Sequence, residues 1–248
     1  EYALRVGSAL WCTLHDIRKA FDRAPFSSQE VAMRRIHAPE FLVDHVRECF
    51  GHGETYVRTA HGDTDLYPVE CGVRQGAVMA PFVFVCFMEP CEECLGVYAG
   101  FVVTTDDEGR ESFTLHGFLF CDDLNNMSCS LDGITRKIQM TAEFLVFHHM
   151  SMAAEKTHFS CTVRQPGGVQ PIRVKVWKKA WFASEDKLVD DYIYFNQPDE
   201  EFRYLGLWFS MAVGCIRASH TKMNQRFGAA MATLHDRFLS FAELSYVM

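Results

Sequence analysis

No stretch of about 18 consecutive apolar residues occurs in the 248-residue chain, which excludes a membrane-spanning helix. Internal repeats and low-complexity tracts are missing too, so no solenoid is encoded. Positive charge is scarce: 24 Lys and Arg stand against 32 Asp and Glu, a net charge of -8. Such a chain does not coat nucleic acid by charge alone, although a local basic groove remains open. Cys91 and Cys94 form a CxxC, but no second CxxC or HxxxH follows at zinc spacing. One helix face of buried thiols is favoured over a zinc site. The opening residues EYALRVGSALWC carry neither an initiator Met nor the layout of a signal peptide, and read as a piece cut from a longer protein.

What is present is an ordinary folded composition, 48% hydrophobic and 23% charged, able to bury a core in one to two domains. Ten cysteines are scattered along the chain, several inside apolar runs such as FVFVCFM, where a reduced thiol behaves as a small hydrophobe. That usage favours a reducing compartment.

Residues 8–15, SALWCTLH, form an apolar run long enough for a buried strand, and Asp16 ends it. A carboxylate therefore sits at a strand's carboxyl end. Ser27 and Glu30 have capping-box spacing before VAMRRI, and Pro39 can open a second helix, FLVDHVRECF, that Gly51 closes. TYVRTA and LYPVEC, joined by HGDTD, read as a hairpin. CGVRQG then leads into PFVFVCFMEPCEECL, whose length and Pro81 predict a mostly buried helix. FVVTT and ESFTLHGFLF flank DDEGR as a second hairpin. The strand FTLHGFLF runs into Cys121, Asp122 and Asp123, and LNNMSCS leaves on the other side, so two acids occupy a tight turn between apolar strands. ITRKIQMTAEFLVFHH has helical periodicity, and short strands follow around THFSCTV, IRVKVW, YIYF and FRYLGLWF, with RQPGG and NQPDEE as turns. A helix-rich segment begins at Arg217.

Adjacent carboxylates repel, so an Asp at one strand end beside an Asp pair in a turn calls for positive charge between them. Two divalent metals about 3.5–4 Å apart are the usual remedy, and they serve phosphoryl transfer.

LHDIRKAFDRAP, GVRQGAVMAP, FLFCDDL, EKTHF and FRYLG occur in this order, with spacings that resemble the reverse transcriptase domain of non-LTR (LINE-type) retrotransposons. In that family the blocks run roughly DxxKAFDxV, GVxQGxxxSP, FADDL, a Lys-Thr pair after an Asn, and YLG. The resemblance covers about residues 8 to 210. It implies an α+β polymerase palm, an antiparallel sheet with helices on one face, over residues 1–210, with partial fingers in about 24–70 and the start of a thumb in 211–248. The implied activity is RNA-directed DNA polymerisation: a primer 3'-hydroxyl attacks the α-phosphate of a dNTP and pyrophosphate leaves. The implied partners are an RNA template and DNA primer, and the implied setting is the cytoplasm and nucleus of a eukaryotic host.

Residue by residue, the resemblance implies that Asp16 and Asp122 bind two Mg2+ ions, with Mn2+ as a substitute, that Asp123 is the third acid, and that the Ile17 carbonyl is an extra ligand. For Asp123 a plain turn residue is the alternative. Phe21 falls where the family places the aromatic ring that rejects a ribose 2'-hydroxyl; core packing is the alternative. Gly72, Gln75 and Gly76 match the loop under the incoming base pair, where glycine lets backbone approach closely and the amide can bond sugar or template. A helix-initiating turn is the bland reading. Lys156 matches the lysine beside the leaving pyrophosphate, and an exposed surface lysine is its alternative. Leu205 and Gly206 resemble the primer-grip turn. Arg18, Lys19, Arg23, Arg34, Arg35, Arg173, Lys175, Lys178 and Lys179, interleaved with Trp177 and Trp181, are expected phosphate contacts, or else solvated faces. Arg18 and Asp22 have i,i+4 spacing. His148 and His149 end a helix where the family shows Ser-Gly, and positive charge there suits the helix dipole.

Three departures stand out: Cys121 for Ala, Ala80 for Ser and Ala153 for Asn. None removes a metal ligand, but together they suggest a diverged element. The rival reading is a non-catalytic, palm-derived relic or scaffold that binds RNA or protein. With fingers and thumb expected outside these residues, the acidic chain alone should hold template weakly.

Overall fold

The computed structural model describes residues 2–51, 53–69, 71–73, 76–104, 112–179, 186–204, 207–213 and 225. After a short helix α1 (Tyr2–Val6), the apolar run becomes β1 (Trp11–His15), all five residues buried, as a central strand covered on both faces requires. Three helices follow: α2 (Ala20–Arg23), α3 (Phe26–Arg35) and α4 (Glu40–Phe50). The expected capping box does not form. Helix α3 starts at Phe26 with Pro25 as its cap, and the Glu30 carboxylate accepts instead from Arg47 at 2.9 Å. Pro39 and Gly51 bound α4 as expected.

The first hairpin is two nested ladders, β2 (Glu54–Thr55) with β5 (Tyr67–Pro68) around β3 (Arg58–Thr59) with β4 (Gly62–Asp63). Helix α5 (Ala80–Leu95), with Pro81 in its first turn, buries Phe84, Phe87 and Met88. Its thiols do not share one buried face, because Cys91 is buried and Cys94 exposed. All described cysteines are free.

β6 (Phe101–Thr104) pairs with β7 (Ser112–Leu115) as the second hairpin predicts; the connecting residues DDEGR lie outside the described residues. FTLHGFLF is not one strand. It breaks at His116 into β7 and β8 (Gly117–Phe120), and β8 pairs with β9 (Asp123–Ser128). Helix α6 (Leu131–Phe147) is capped by Ser130, whose hydroxyl accepts from the Gly133 N–H. Then come β10 (His158–Cys161), the long hairpin β11 (Ile172–Lys179) and β12 (Asp186–Ile193), β13 (Phe195–Asn196), and the pair β14 (Phe202–Tyr204) and β15 (Leu207–Phe209). FRYLGLWF is thus two strands, and the segment from Arg217 lies almost wholly outside the described residues.

The central sheet has the order β13-β10-β1-β9-β8. Its pairings are antiparallel except β10 with β13, which is parallel. One face carries Trp11, His15 and Asn126 toward α6, where the Asn126 amide donates to Thr141. Trp11 and Phe159 pack on that side with the buried side chains of α5 and α6. The other face, with Cys12, Leu14 and Met127, lies under Phe202 and Phe209. Among the described residues no helix is long and apolar enough to cross a membrane.

Candidate active site

Asp16 follows β1 directly, and the next residues are pinned by backbone. The Ala153 N–H donates to the Asp16 carbonyl and the Arg18 N–H to the Ser151 carbonyl, both at 2.8 Å, around the bridge between Ile17 and Met152. This pairing uses the Asp16 carbonyl and leaves the Ile17 carbonyl outside the ladder. On the neighbouring strand, Phe120 pairs with Asp123 across a two-residue turn of Cys121 and Asp122. The β1–β9 ladder ends at His15 with Leu124, which brings Asp16 level with Asp123.

The electrostatics report the same convergence. Burial first, then the negative charges of Asp122 and Asp16, holds the Asp123 carboxyl above its usual range. Lys156 answers this charge, with Nζ 3.7 Å from Asp16 Oδ2. The donor set is all oxygen and mutually repelling, the chemistry of a hard divalent cation. As they stand, the acids do not close into a ligating group: among the described residues no cluster of three or more His, Cys, Asp or Glu could hold a metal ion.

A groove of about 440 Å³ runs beside these acids, lined by Asp16, Arg18, Lys19, Arg23, Lys156 and Trp177 among others. Its cations are not simply available to phosphate. Arg18 donates to both Glu155 oxygens at 2.8 Å, and Arg23 donates to Asp186 at 3.0 Å. Farther off, Arg34 binds Glu30 and Glu40, Arg35 binds Glu89 and Glu93, and Lys178 binds Asp191. Arg173 faces Asp190 at 4.0 Å. Most of the basic residues expected to meet phosphate are therefore ion-paired within the chain. Lys19 is exposed and makes no ion pair among the described residues. The Lys179 side chain and Trp181 lie outside the described residues, and Trp177 donates its ring N–H to the Val146 carbonyl.

Phe21 is half-buried and stacks on Phe84 at 4.9 Å. Gly72 has φ +105, and a Cβ there would lie 2.9 Å from the Asp22 carbonyl and 3.0 Å from that of Phe21. Its glycine thus answers to the chain beneath Phe21, a contact the motif did not reveal. Gly76 also has positive φ, +87, with open space around it. Gln75, Leu205 and Gly206 lie outside the described residues.

The expectation of positive charge at the end of α6 is corrected at His148. Its ring sits among Phe87, Phe144 and Phe147, its Nδ1 is 3.0 Å from the Ser28 hydroxyl, and burial followed by His149 lowers its pKa. His149 explains the family's glycine. It has φ 55, and the bonds from His149 N–H to Val146 and from Met150 N–H to Leu145 complete a Schellman turn. Ala153 is buried, and Cys121 holds φ 55 within the acid turn.

Motif reading also missed a buried polar layer beneath the acids. His15 Nε2 lies 2.9 Å from the Asn126 amide and 3.0 Å from the Thr13 hydroxyl, and burial pushes its pKa down to about 3. Gln29, also buried, donates to the Ala24 and Gly72 carbonyls and ties α3 to the glycine segment. Strand alternation could have marked His15 and Asn126 as inward; nothing local marked Gln29.

Residues 1–209 match the family model of reverse transcriptase (RNA-dependent DNA polymerase). No curated protein matches the chain significantly. Among solved structures, apo telomerase from Candida tropicalis truncated from its C-terminal domain is similar, with TM-score 0.50 and 11% identity over 84% of this chain. The present chain spans 36% of that one. With a family match over most of its length and an α+β, largely antiparallel sheet that brings Asp16 level with the acid turn, the chain belongs to the reverse transcriptase family.

Proposed function

We propose that the chain is the palm, with part of the fingers in about 24–70, of an RNA-directed DNA polymerase of the non-LTR retrotransposon type, and that 211–248 begins its thumb. The observation that carries the reading is the strand register that sets Asp16 level with Asp123 at one end of the central sheet, next to the turn that holds Asp122. The order of the five sequence blocks supports the retrotransposon type.

Asp16, Asp122 and Asp123, with the Ile17 carbonyl, would hold Mg2+ or Mn2+ once the carboxylates, not yet gathered into a ligating group, draw in around the ion. When bound, two such ions would make the primer 3'-hydroxyl a better nucleophile and offset charge on the leaving group. The chain's own residues do the rest. Lys156, beside Asp16, neutralises or protonates the departing pyrophosphate. Lys19 offers an exposed ammonium to the triphosphate. Phe21, braced on Phe84, excludes a ribose 2'-hydroxyl by volume, and Gly72, Gln75 and Gly76 run under the incoming base pair.

The test is primer extension on an RNA template with Mg2+. Extension is expected for the parent-length protein and its loss in Asp122→Asn; activity that survives that change sinks the metal assignment. The acidic balance and the internally paired arginines favour weak template binding by residues 1–248 alone. A tight, salt-sensitive complex with RNA–DNA duplex would contradict this. Duplex binding without extension by the parent-length wild type would instead favour the scaffold reading.

A further inference from the structure

Arg18 and Arg23 face the groove beside Asp16, yet each is engaged by a carboxylate brought from elsewhere in the fold. Glu155 comes from the loop after the Ile17–Met152 bridge, and Asp186 is the first residue of β12. One Arg18 nitrogen is shared by both Glu155 oxygens at 2.8 Å, and the Arg18 Nε is buried with no hydrogen-bond partner. Glu155 therefore uses only part of the donor capacity of this guanidinium. The pair is also weakly held, with side chains 38% and 57% exposed, so a stronger anion can displace it.

A carboxylate and a phosphate make the same demand on a guanidinium, two anionic oxygens at hydrogen-bond distance. We propose that Glu155 and Asp186 are placeholders for phosphate: they occupy Arg18 and Arg23 until a triphosphate displaces them, and so set the affinity of the groove for polyphosphate. This rests on the polymerase reading of the groove and adds to it two positioning residues that act through the arginines. Glu155 adjoins Lys156, but the turn is held by the bonds of the Lys156 and Thr157 N–H groups to the Ala153 carbonyl at 3.0 Å, so the ammonium near Asp16 keeps its place when the Glu155 carboxylate is released. Asp186 brings the start of β12 to the same groove, while the hairpin itself is held by buried Val174, Val176 and Ile193.

Inorganic tripolyphosphate is the probe, titrated calorimetrically at low salt into the whole chain, Glu155→Gln and Asp186→Asn. Each variant is expected to bind it about fivefold tighter than wild type, the scale of a weak competing ion pair removed. Affinity unchanged or reduced in both would overturn the proposal. A merely structural pair would lower the melting temperature and raise tripolyphosphate affinity no more than Asp190→Asn does, a change of the same charge on β12 outside the groove. The two changes act on different guanidiniums, so if one variant does not fold the other decides. In primer extension by the parent-length protein, the same substitutions should lower the nucleotide KM with little change in kcat. If no form extends a primer, wild type included, the polymerase reading fails while the tripolyphosphate titration still decides the placeholder role.

Discussion

The ammonium of Lys137 donates at 2.7 Å to the carbonyl oxygen of Met127, inside the layer between α6 and β9. A second bond, at 2.8 Å, reaches the carbonyl of His116, where the long apolar stretch breaks into β7 and β8. Lys137 is 0% exposed, and burial pushes its pKa from 10.5 down to about 8. Between about pH 8 and 10.5 the unfolded chain thus holds a proton that the folded chain has released. Stability should rise as pH is raised through that window and be flat, for this group, below it. Buried Cys12, Cys86, Cys91 and Cys161, whose thiols burial pushes up, pull stability the other way above about pH 9, so the Lys137 contribution is read as the wild-type urea midpoint minus that of Lys137→Met, a difference expected to grow from pH 8 to 10.5. That variant also strips a donor from two interior carbonyls, a loss of about 1–3 kcal/mol.

His37 closes α3 as His149 closes α6, with φ 58 and N–H bonds from His37 to Arg34 and from Ala38 to Met33. An L side chain in this left-handed region is strained and a glycine is not. His37 is exposed, so His37→Gly is expected to raise stability by about 0.5–1 kcal/mol, read as a higher melting temperature. His149→Gly should gain less, because His149 stacks on Trp177 at 5.5 Å.

Gly72→Ala meets two obstacles at once, the φ of +105 and backbone oxygens within 3.0 Å of the new Cβ. Neither is the flexible end of a side chain that could swing away. A loss of about 2–4 kcal/mol is expected, seen as a fall in the urea midpoint. If Gly72→Ala melts like wild type, the close approach to Phe21 and Asp22 is not what the glycine serves.

Phe21→Ala should act twice. Removing a half-buried ring stacked at 4.9 Å on Phe84 is expected to cost about 2–3 kcal/mol of stability. On the proposed polymerase it should also raise incorporation of ribonucleotides relative to deoxynucleotides. Loss of stability with unchanged sugar preference would leave Phe21 a packing residue only.

Features encoded in neighbouring residues are legible in the sequence itself. The apolar run preceding Asp16, the prolines that start α4 and α5, the periodicity of α6 and the acid turn depend on local spacing, and each forms where expected. Even there, local spacing misleads once distant charge intervenes: Arg47 takes the Glu30 carboxylate that a capping box would have used.

Sequence alone thus determined the strand and turn that carry the acids, because backbone periodicity and turn chemistry act over a few residues. Only the tertiary structure decided that Asp16 lies level with Asp123, that Arg18 meets Glu155 from 137 positions away, and that Lys137 is buried between carbonyls. Charge pairing and desolvation depend on which distant segments pack together, and that is a property of the folded chain as a whole.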